Sequence, residues 1–142
     1  KTIGMLHSDL FVRKGHSLAG RPSVSQIDLA QFNFVTLPES KPYGDIVRGF
    51  YDAAGVPWRS KIHVADYFPT VARIVRSTDA ISMVQRAYTR TTSFKRYFEV
   101  LCVTEEVFPT SLLCCAYRAH RDFTPAMRAF VSAIRQSNDR RT

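Results

Sequence analysis

The sequence predicts an α/β fold with mainly parallel strands, and three observations carry that prediction. Apolar runs of strand length alternate with segments of helical periodicity. Helix-start and helix-stop residues punctuate the alternation. Two strands follow one another without a helix only at Glu105-Glu106-Val107-Phe108-Pro109, a corner where a strand leaves one sheet and enters another.

Leu10 to Arg13 reads as the first clear strand, and Lys14 to Pro22 as a turn-rich connector. Ser23-Val24-Ser25-Gln26 has capping-box spacing, which places a short helix carrying Val24, Ile27 and Ala30 after it. Phe32 to Leu37 is a β-rich run stopped by Pro38. Ser40-Lys41-Pro42 opens a helix with Tyr43, Ile46, Val47, Phe50 and Ala54 on one stripe, closed by Gly55 and Pro57. Lys61 to Ala65 is the next strand, with Ile62 and Val64 on one face.

Phe68, Val71, Ala72 and Val75 then fall on one face of a helix whose first turn tolerates Pro69. Ser77-Thr78-Asp79 breaks it, and Ala80 to Val84 is a short buried strand. A weak helix around 86–92 precedes strands at Phe98 to Val103 and Thr110 to Tyr117. Thr124-Pro125 caps a last helix expected to turn Met127, Phe130, Val131 and Ile134 inward.

Composition narrows the class of protein. The 142 residues are 45% hydrophobic and 23% charged, enough to bury a core. No apolar run reaches the ~18 residues that span a bilayer, and no signal-peptide pattern opens the chain. Its first residues read as the middle of a strand, so a fragment of a longer protein is expected. The net charge of +8 is scattered over many elements, which argues against direct nucleic-acid contact by this segment. Cys102, Cys114 and Cys115 have no metal-ligand spacing and read as buried free thiols of a reducing, cytoplasmic setting.

Catalytic chemistry is hard to find. There is no phosphate-binding glycine loop. His7, His16, His63 and His120 are dispersed, and a surface or internally satisfied histidine is the better reading of each. Ser82 and Ser111 lie in strands, outside any nucleophile elbow. No catalytic residue, metal site or cofactor is expected, and an enzyme is disfavoured.

Several pieces, taken in order, resemble the LysR-type transcriptional regulators. Arg13-Lys14-Gly15-His16-Ser17-Leu18-Ala19 is similar to their "R-x-x-H-P-L-A" turn, with Ser17 in place of proline. Ala53-Ala54-Gly55-Val56-Pro57 resembles the family's "x-x-A-G-x-x-P" helix end. The segment from Val75 to Arg86 resembles "V-x-x-[GS]-x-x-I-x-x-[LV]-P-x-R", with Gln85 after Val84 where proline is common. Phe108-Pro109 and Asp122-Phe123-Thr124-Pro125 complete a likeness that covers nearly all of residues 6–136. The subgroup it resembles most contains regulators of nodulation and of aromatic-compound degradation.

The resemblance implies an effector-binding domain of two Rossmann-like lobes, as in type 2 periplasmic binding proteins, with lobe two complete and lobe one partial. It places residues 1–33 in the returning part of lobe one and its crossover, 34–103 in lobe two, and 104–142 in the crossover and the C-terminal part of lobe one. A partial lobe one would leave an open apolar face beside residues 110–117. A small aromatic or acidic inducer is expected in the inter-lobe cleft. Its expected contacts are the loop Pro38, Glu39, Ser40 and Lys41, which leads into a helix N-terminus, and Tyr67, Phe68 and Thr70 after the next strand. DNA would be bound only through a winged helix-turn-helix outside this sequence, in a homodimer or homotetramer with no membrane partner. A periplasmic-type solute-binding domain would share the fold and is the alternative.

Overall fold

The computed structural model describes residues 2–38, 42–104, 107–116 and 124–139. Contacts divide the chain into two units, Lys1–His7 with Thr110–Thr142, and Ser8–Pro109.

In the larger unit, β3 (Phe34–Thr36) pairs in parallel with β4 (Ile62–Val64), Phe34 opposite Ile62. On its other side, Phe34 bridges in parallel to Ile81, just before β5 (Ser82–Gln85). The Val35 amide donates to the Ile81 carbonyl at 2.9 Å and the Ile81 amide to the Asn33 carbonyl at 2.8 Å. Next comes β2 (Ser8–Arg13), antiparallel to β5 and to β6 (Phe98–Val100). The spatial order is therefore β4-β3-β5-β2-β6, four strands running one way and β2 against them.

Two expectations change here. The sheet is mixed, and β2 belongs to it although the sequence assigns residues 1–33 outside lobe two. The reason is register: Ser8↔Gln85 and Arg13↔Phe98 insert β2 between β5 and β6, so the division falls at His7/Ser8 and not at 33/34. The other break lies at Pro109/Thr110, not at 103/104, because the segment ending in Phe108 packs in the core of this unit.

Both sheet faces are apolar, as strands covered on two sides must be. On one face Leu10, Val12, Phe34 and Ile81 meet Leu29 of α1 (Gln26–Leu29) and Val47, Phe50 and Tyr51 of α2 (Tyr43–Ala53). On the other, Phe11, Val35 and Val84 meet Val71 and Val75 of α3 (Phe68–Ser77) and Phe94 of α5 (Thr92–Tyr97). Alternate residues of one strand serve opposite faces, as the two-residue strand period requires. The short α4 (Arg86–Thr89) joins β5 to α5, so two helical pieces stand where one weak helix is expected.

The helix starts follow local chemistry. Ser25, not Ser23, caps α1: its hydroxyl accepts the Asp28 amide at 3.2 Å and the Asp28 carboxylate accepts the Ser25 amide at 2.9 Å. Those bonds from Ser25, helped by Arg21, hold the Asp28 carboxyl below its ordinary pKa. Val24 cannot be helical, because its amide donates to the Cys102 carbonyl at 2.8 Å in a bridge to Val103. Ile27, expected inward, is 63% exposed, and Leu29 and Ala30 fill the place. Gly55 ends α2 at φ +67°, a conformation that side chains disfavour.

Tyr51 carries a pH prediction. It is fully buried, and its hydroxyl donates to the Phe32 carbonyl at 2.9 Å. Burial pushes its phenol pKa well above the ordinary value. A raised folded-state pKa contributes stability that is complete below the unfolded value, ~10, and is lost as pH rises from there. Denaturant midpoints measured from neutral to strongly alkaline pH are expected to fall above about pH 10, and the fall to flatten in Tyr51→Phe. At neutral pH that variant loses only the hydrogen bond, about 1 kcal/mol.

In the smaller unit β1 (Thr2–Leu6) pairs antiparallel with β7 (Ser111–Cys114), Met5 opposite Leu112. The Arg135 guanidinium of α6 (Pro125–Asp139) donates to the Thr2 carbonyl at 2.7 Å. The Thr124 hydroxyl accepts the Met127 amide at 3.2 Å, the expected cap. Of the residues expected inward on α6, Val131 is buried, while Phe130 is 67% exposed. Leu112 is 63% exposed, and Cys114 and Ala116 are exposed on the same face, so the sheet has an open apolar side. Cys102 and Cys114 are exposed and Cys115 half-buried, contrary to the buried thiols expected.

Candidate functional site

The larger unit contains a pocket of about 460 Å³, lined in part by Thr36, Pro38, Tyr43, Phe68, Ser82 and Tyr88. Its position follows from the chain's winding. From β3 the chain crosses through α2 to β4 on one side, and from β4 it crosses back through α3 to β5 on the other. The two helices lie on opposite faces of the sheet, so the direction of winding reverses between β3 and β5. Loops diverge at the carboxyl ends of such strands and leave a crevice where open α/β sheets bind ligands. Thr36 ends β3 there with Leu37 and Pro38 following, and Gln85 ends β5. Because β2 runs antiparallel, its first residue, Ser8, also reaches this end.

Aromatic and aliphatic groups form much of the wall. Phe68 stands edge-on to Tyr88, with centroids 5.5 Å apart, and Tyr88 is edge-on to Phe94 at 5.8 Å. Val71, Met83 and Val84 add aliphatic surface. The hydroxyls are those of Ser8, Thr36, Ser82, Tyr43 and Tyr88, with the Gln85 amide at the strand end. None of the described lining residues carries a charge. The first turns of α2 and α3 border the pocket through Tyr43, Gly44 and Phe68, and the N-cap residues Pro42 and Tyr67 make no side-chain cap bond. Their leading amides give this end partial positive character.

Of the residues expected from the sequence, Pro38 and Phe68 line the pocket. Glu39, Ser40 and Lys41 lie outside the described residues. Tyr67 is 66% exposed and Thr70 is exposed, and neither is part of the lining. Phe68 is both wall and core, since its ring also packs 6.4 Å from that of Phe11. The sequence alone does not mark Ser82, Thr36, Ser8 or Tyr88 as pocket residues. The signal for Ser82 is a hydroxyl inside the apolar run from Ala80 to Val84. Among the described residues no group of three or more His, Cys, Asp or Glu side chains could hold a metal ion.

The doubly wound larger unit, with a crevice at its strand ends, has the fold of the type 2 periplasmic binding proteins and of the regulatory domains built like them. The chain matches the family described as "LysR substrate binding domain" over residues 3–139, and it belongs to that family. Solved structures of similar fold include HinK, a LysR family transcriptional regulator from Pseudomonas aeruginosa (TM-score 0.72, 19% identity, 97% of this chain and 47% of that one). The CcmR regulatory domain of Synechocystis PCC6803, in complex with 2-PG, is similar at TM-score 0.66 and 13% identity over 97% of this chain and 65% of that one. The effector binding domain of QuiR, in complex with shikimate, is similar at TM-score 0.62 and 16% identity, covering 98% and 64%. The chain thus spans about half the length of HinK. Comparison with curated protein sequences gave no significant match. No described helix is long and apolar enough to cross a membrane.

Proposed function

We propose that this chain is the effector-sensing part of a LysR-type transcriptional regulator, that the pocket at the ends of β3 and β5 holds a small-molecule effector, and that occupancy controls DNA binding by a winged helix-turn-helix elsewhere in the protein. The observation that carries this reading is the pocket itself. It lies at the switch point of a doubly wound sheet, has the size of a ligand site, and combines apolar walls with a few convergent polar groups. The 2-PG and shikimate complexes of similarly folded domains support it. The effector acts by binding one arrangement of the protein more tightly than another. In the whole regulator that preference is transmitted through a homodimer or homotetramer.

The test is calorimetric titration of the intact regulator with a panel of small aromatic and acidic molecules. Thr36→Trp, which projects a large ring into the pocket, is expected to weaken binding at least about tenfold. Tyr67→Ala and Thr70→Ala, outside the lining, are expected to bind as the parent does. Unchanged binding in a folded Thr36→Trp protein would refute the assignment of the pocket. Losses confined to Tyr67→Ala and Thr70→Ala would move the site to the exposed start of α3.

A further inference from the structure

The fold gathers cations that the sequence scatters, and the two helical layers of the larger unit differ in sign. On one face of the sheet, α1 and α2 carry Asp28, Asp45 and Asp52 against Arg48. On the other, α3, α4 and α5 carry Arg73, Arg76, Arg86, Lys95 and Arg96 and no carboxylate. From Phe68 to Phe98 the one acidic residue is Asp79, and the Arg13 guanidinium already holds it. Arg86 is taken in turn by Asp9, at 2.8 Å. Arg73, Arg76, Lys95 and Arg96 are exposed, and among the described residues no carboxylate pairs with them.

Tyr97 draws part of this charge together. The Arg76 guanidinium, from α3, stands 3.8 Å from the centre of the Tyr97 ring, and that of Arg96, from α5, stands 5.3 Å from it. Stacking of this kind orients a guanidinium without neutralising it, so its N–H groups still serve an anion. Lys14, also exposed, arrives from β2, where its amide donates to the Tyr97 carbonyl at 2.9 Å. Repulsion among gathered cations is relieved by a polyanion. No exposed large apolar residue lies in α3, α4 or α5, so the face lacks the apolar centre of a protein interface. Ser77, Thr92 and Ser93 are exposed on the same layer, and Arg, Lys, Ser and Thr are side chains that hold DNA phosphates.

We propose that the α3–α5 face binds the phosphate backbone of DNA, without regard to base sequence, beside the contacts made by the DNA-binding domain. The inference rests on the reading of this chain as part of a DNA-binding regulator and not on the effector pocket.

The test is the salt dependence of binding by the intact regulator to a long duplex of unrelated sequence. Arg73, Arg76 and Arg96 are replaced together by Gln. Each lost phosphate contact flattens the slope of log affinity against log salt by about 0.9, so the triple variant is expected to be shallower by roughly 2–3 and to bind about tenfold or more weakly at low salt. Removing equal charge elsewhere, by Arg21→Gln, Arg48→Gln and Arg59→Gln together, is expected to leave the slope as in the parent. Denaturant midpoints establish that the variants fold. If the triple variant does not, Arg73→Gln, which leaves the stacking on Tyr97 intact, is expected to flatten the slope by about 0.9. A parental slope in the folded variant overturns the proposal, and so does an equal flattening in the control. If the slope is parental but transcriptional control in a reconstituted system is lost, the face meets an acidic protein instead of DNA. A parent protein that binds no DNA removes the regulator reading as well.

Discussion

Phe11→Ala is expected to lower the unfolding free energy by about 3–5 kcal/mol, the range for deleting a buried aromatic ring. Phe11 is fully buried at the centre of β2, the strand held between β5 and β6. Its ring lies edge-on to Phe98 at 5.1 Å and to Phe94 at 5.6 Å, and it also packs on Phe68. Truncation leaves a void between the sheet, α3 and α5 that no single neighbour can fill. Phe11→Leu keeps much of the volume and should cost less than about 2 kcal/mol. Denaturant midpoints at unchanged slope measure both. A loss below about 1 kcal/mol for Phe11→Ala would show that β2 is not the centre of this core.

His16→Ala should cost about 2–4 kcal/mol, for a different reason. The ring is buried and both nitrogens are used. Nδ1 accepts the Leu18 amide at 3.0 Å, which leaves the proton on Nε2 to donate to the Asp79 carbonyl at 3.1 Å. The ring also packs 4.6 Å from Phe32. His16 thus ties the connector after β2 to the turn before β5, and the fork from Arg13 to the Asp79 carboxylate, at 2.7 and 3.1 Å, supports the same junction. His16→Phe keeps the volume but orphans the Leu18 amide, so it should remain destabilised by about 1–3 kcal/mol. Faster hydrogen exchange at Leu18 in both variants would report the broken bond directly. Stability equal to the parent in His16→Ala would contradict this role.

Much of the larger unit is legible in sequence because its signals are local. The apolar stripe and Gly55 of α2 need no knowledge of the rest of the chain, and neither do Pro69 and the spacing of Phe68, Val71 and Val75 in α3. The turn around His16 is legible, but whether the ring lies at the surface or is satisfied inside the fold is not, because its partner Asp79 is 63 residues away. The place of β2 is not legible, because nothing in Ser8–Arg13 specifies the strands it joins. Its register with β5 and β6 is a long-range choice made by Phe11 and its aromatic neighbours. The cap of α1 moves from Ser23 to Ser25 for a similar reason. Both serines have box spacing, and a bridge to the distant Val103 excludes Val24 from the helix.

The candidate site divides in the same way. Pro38 and Phe68 stand beside strand ends and helix starts that the sequence marks. Ser82 and Tyr88 enter the pocket because β5 lies next to β3, and that neighbourhood is a property of the sheet order. Tyr67 caps α3 and Phe68 opens it, yet Phe68 turns into the pocket wall while Tyr67 stays exposed.

The most direct measurement is a crystal structure of the regulator soaked with the probe that binds it most tightly. The expected result is ligand density enclosed by Thr36, Pro38, Phe68 and Tyr88. Density for the ligand at another place in the protein, with this pocket unoccupied at saturating probe, would contradict it.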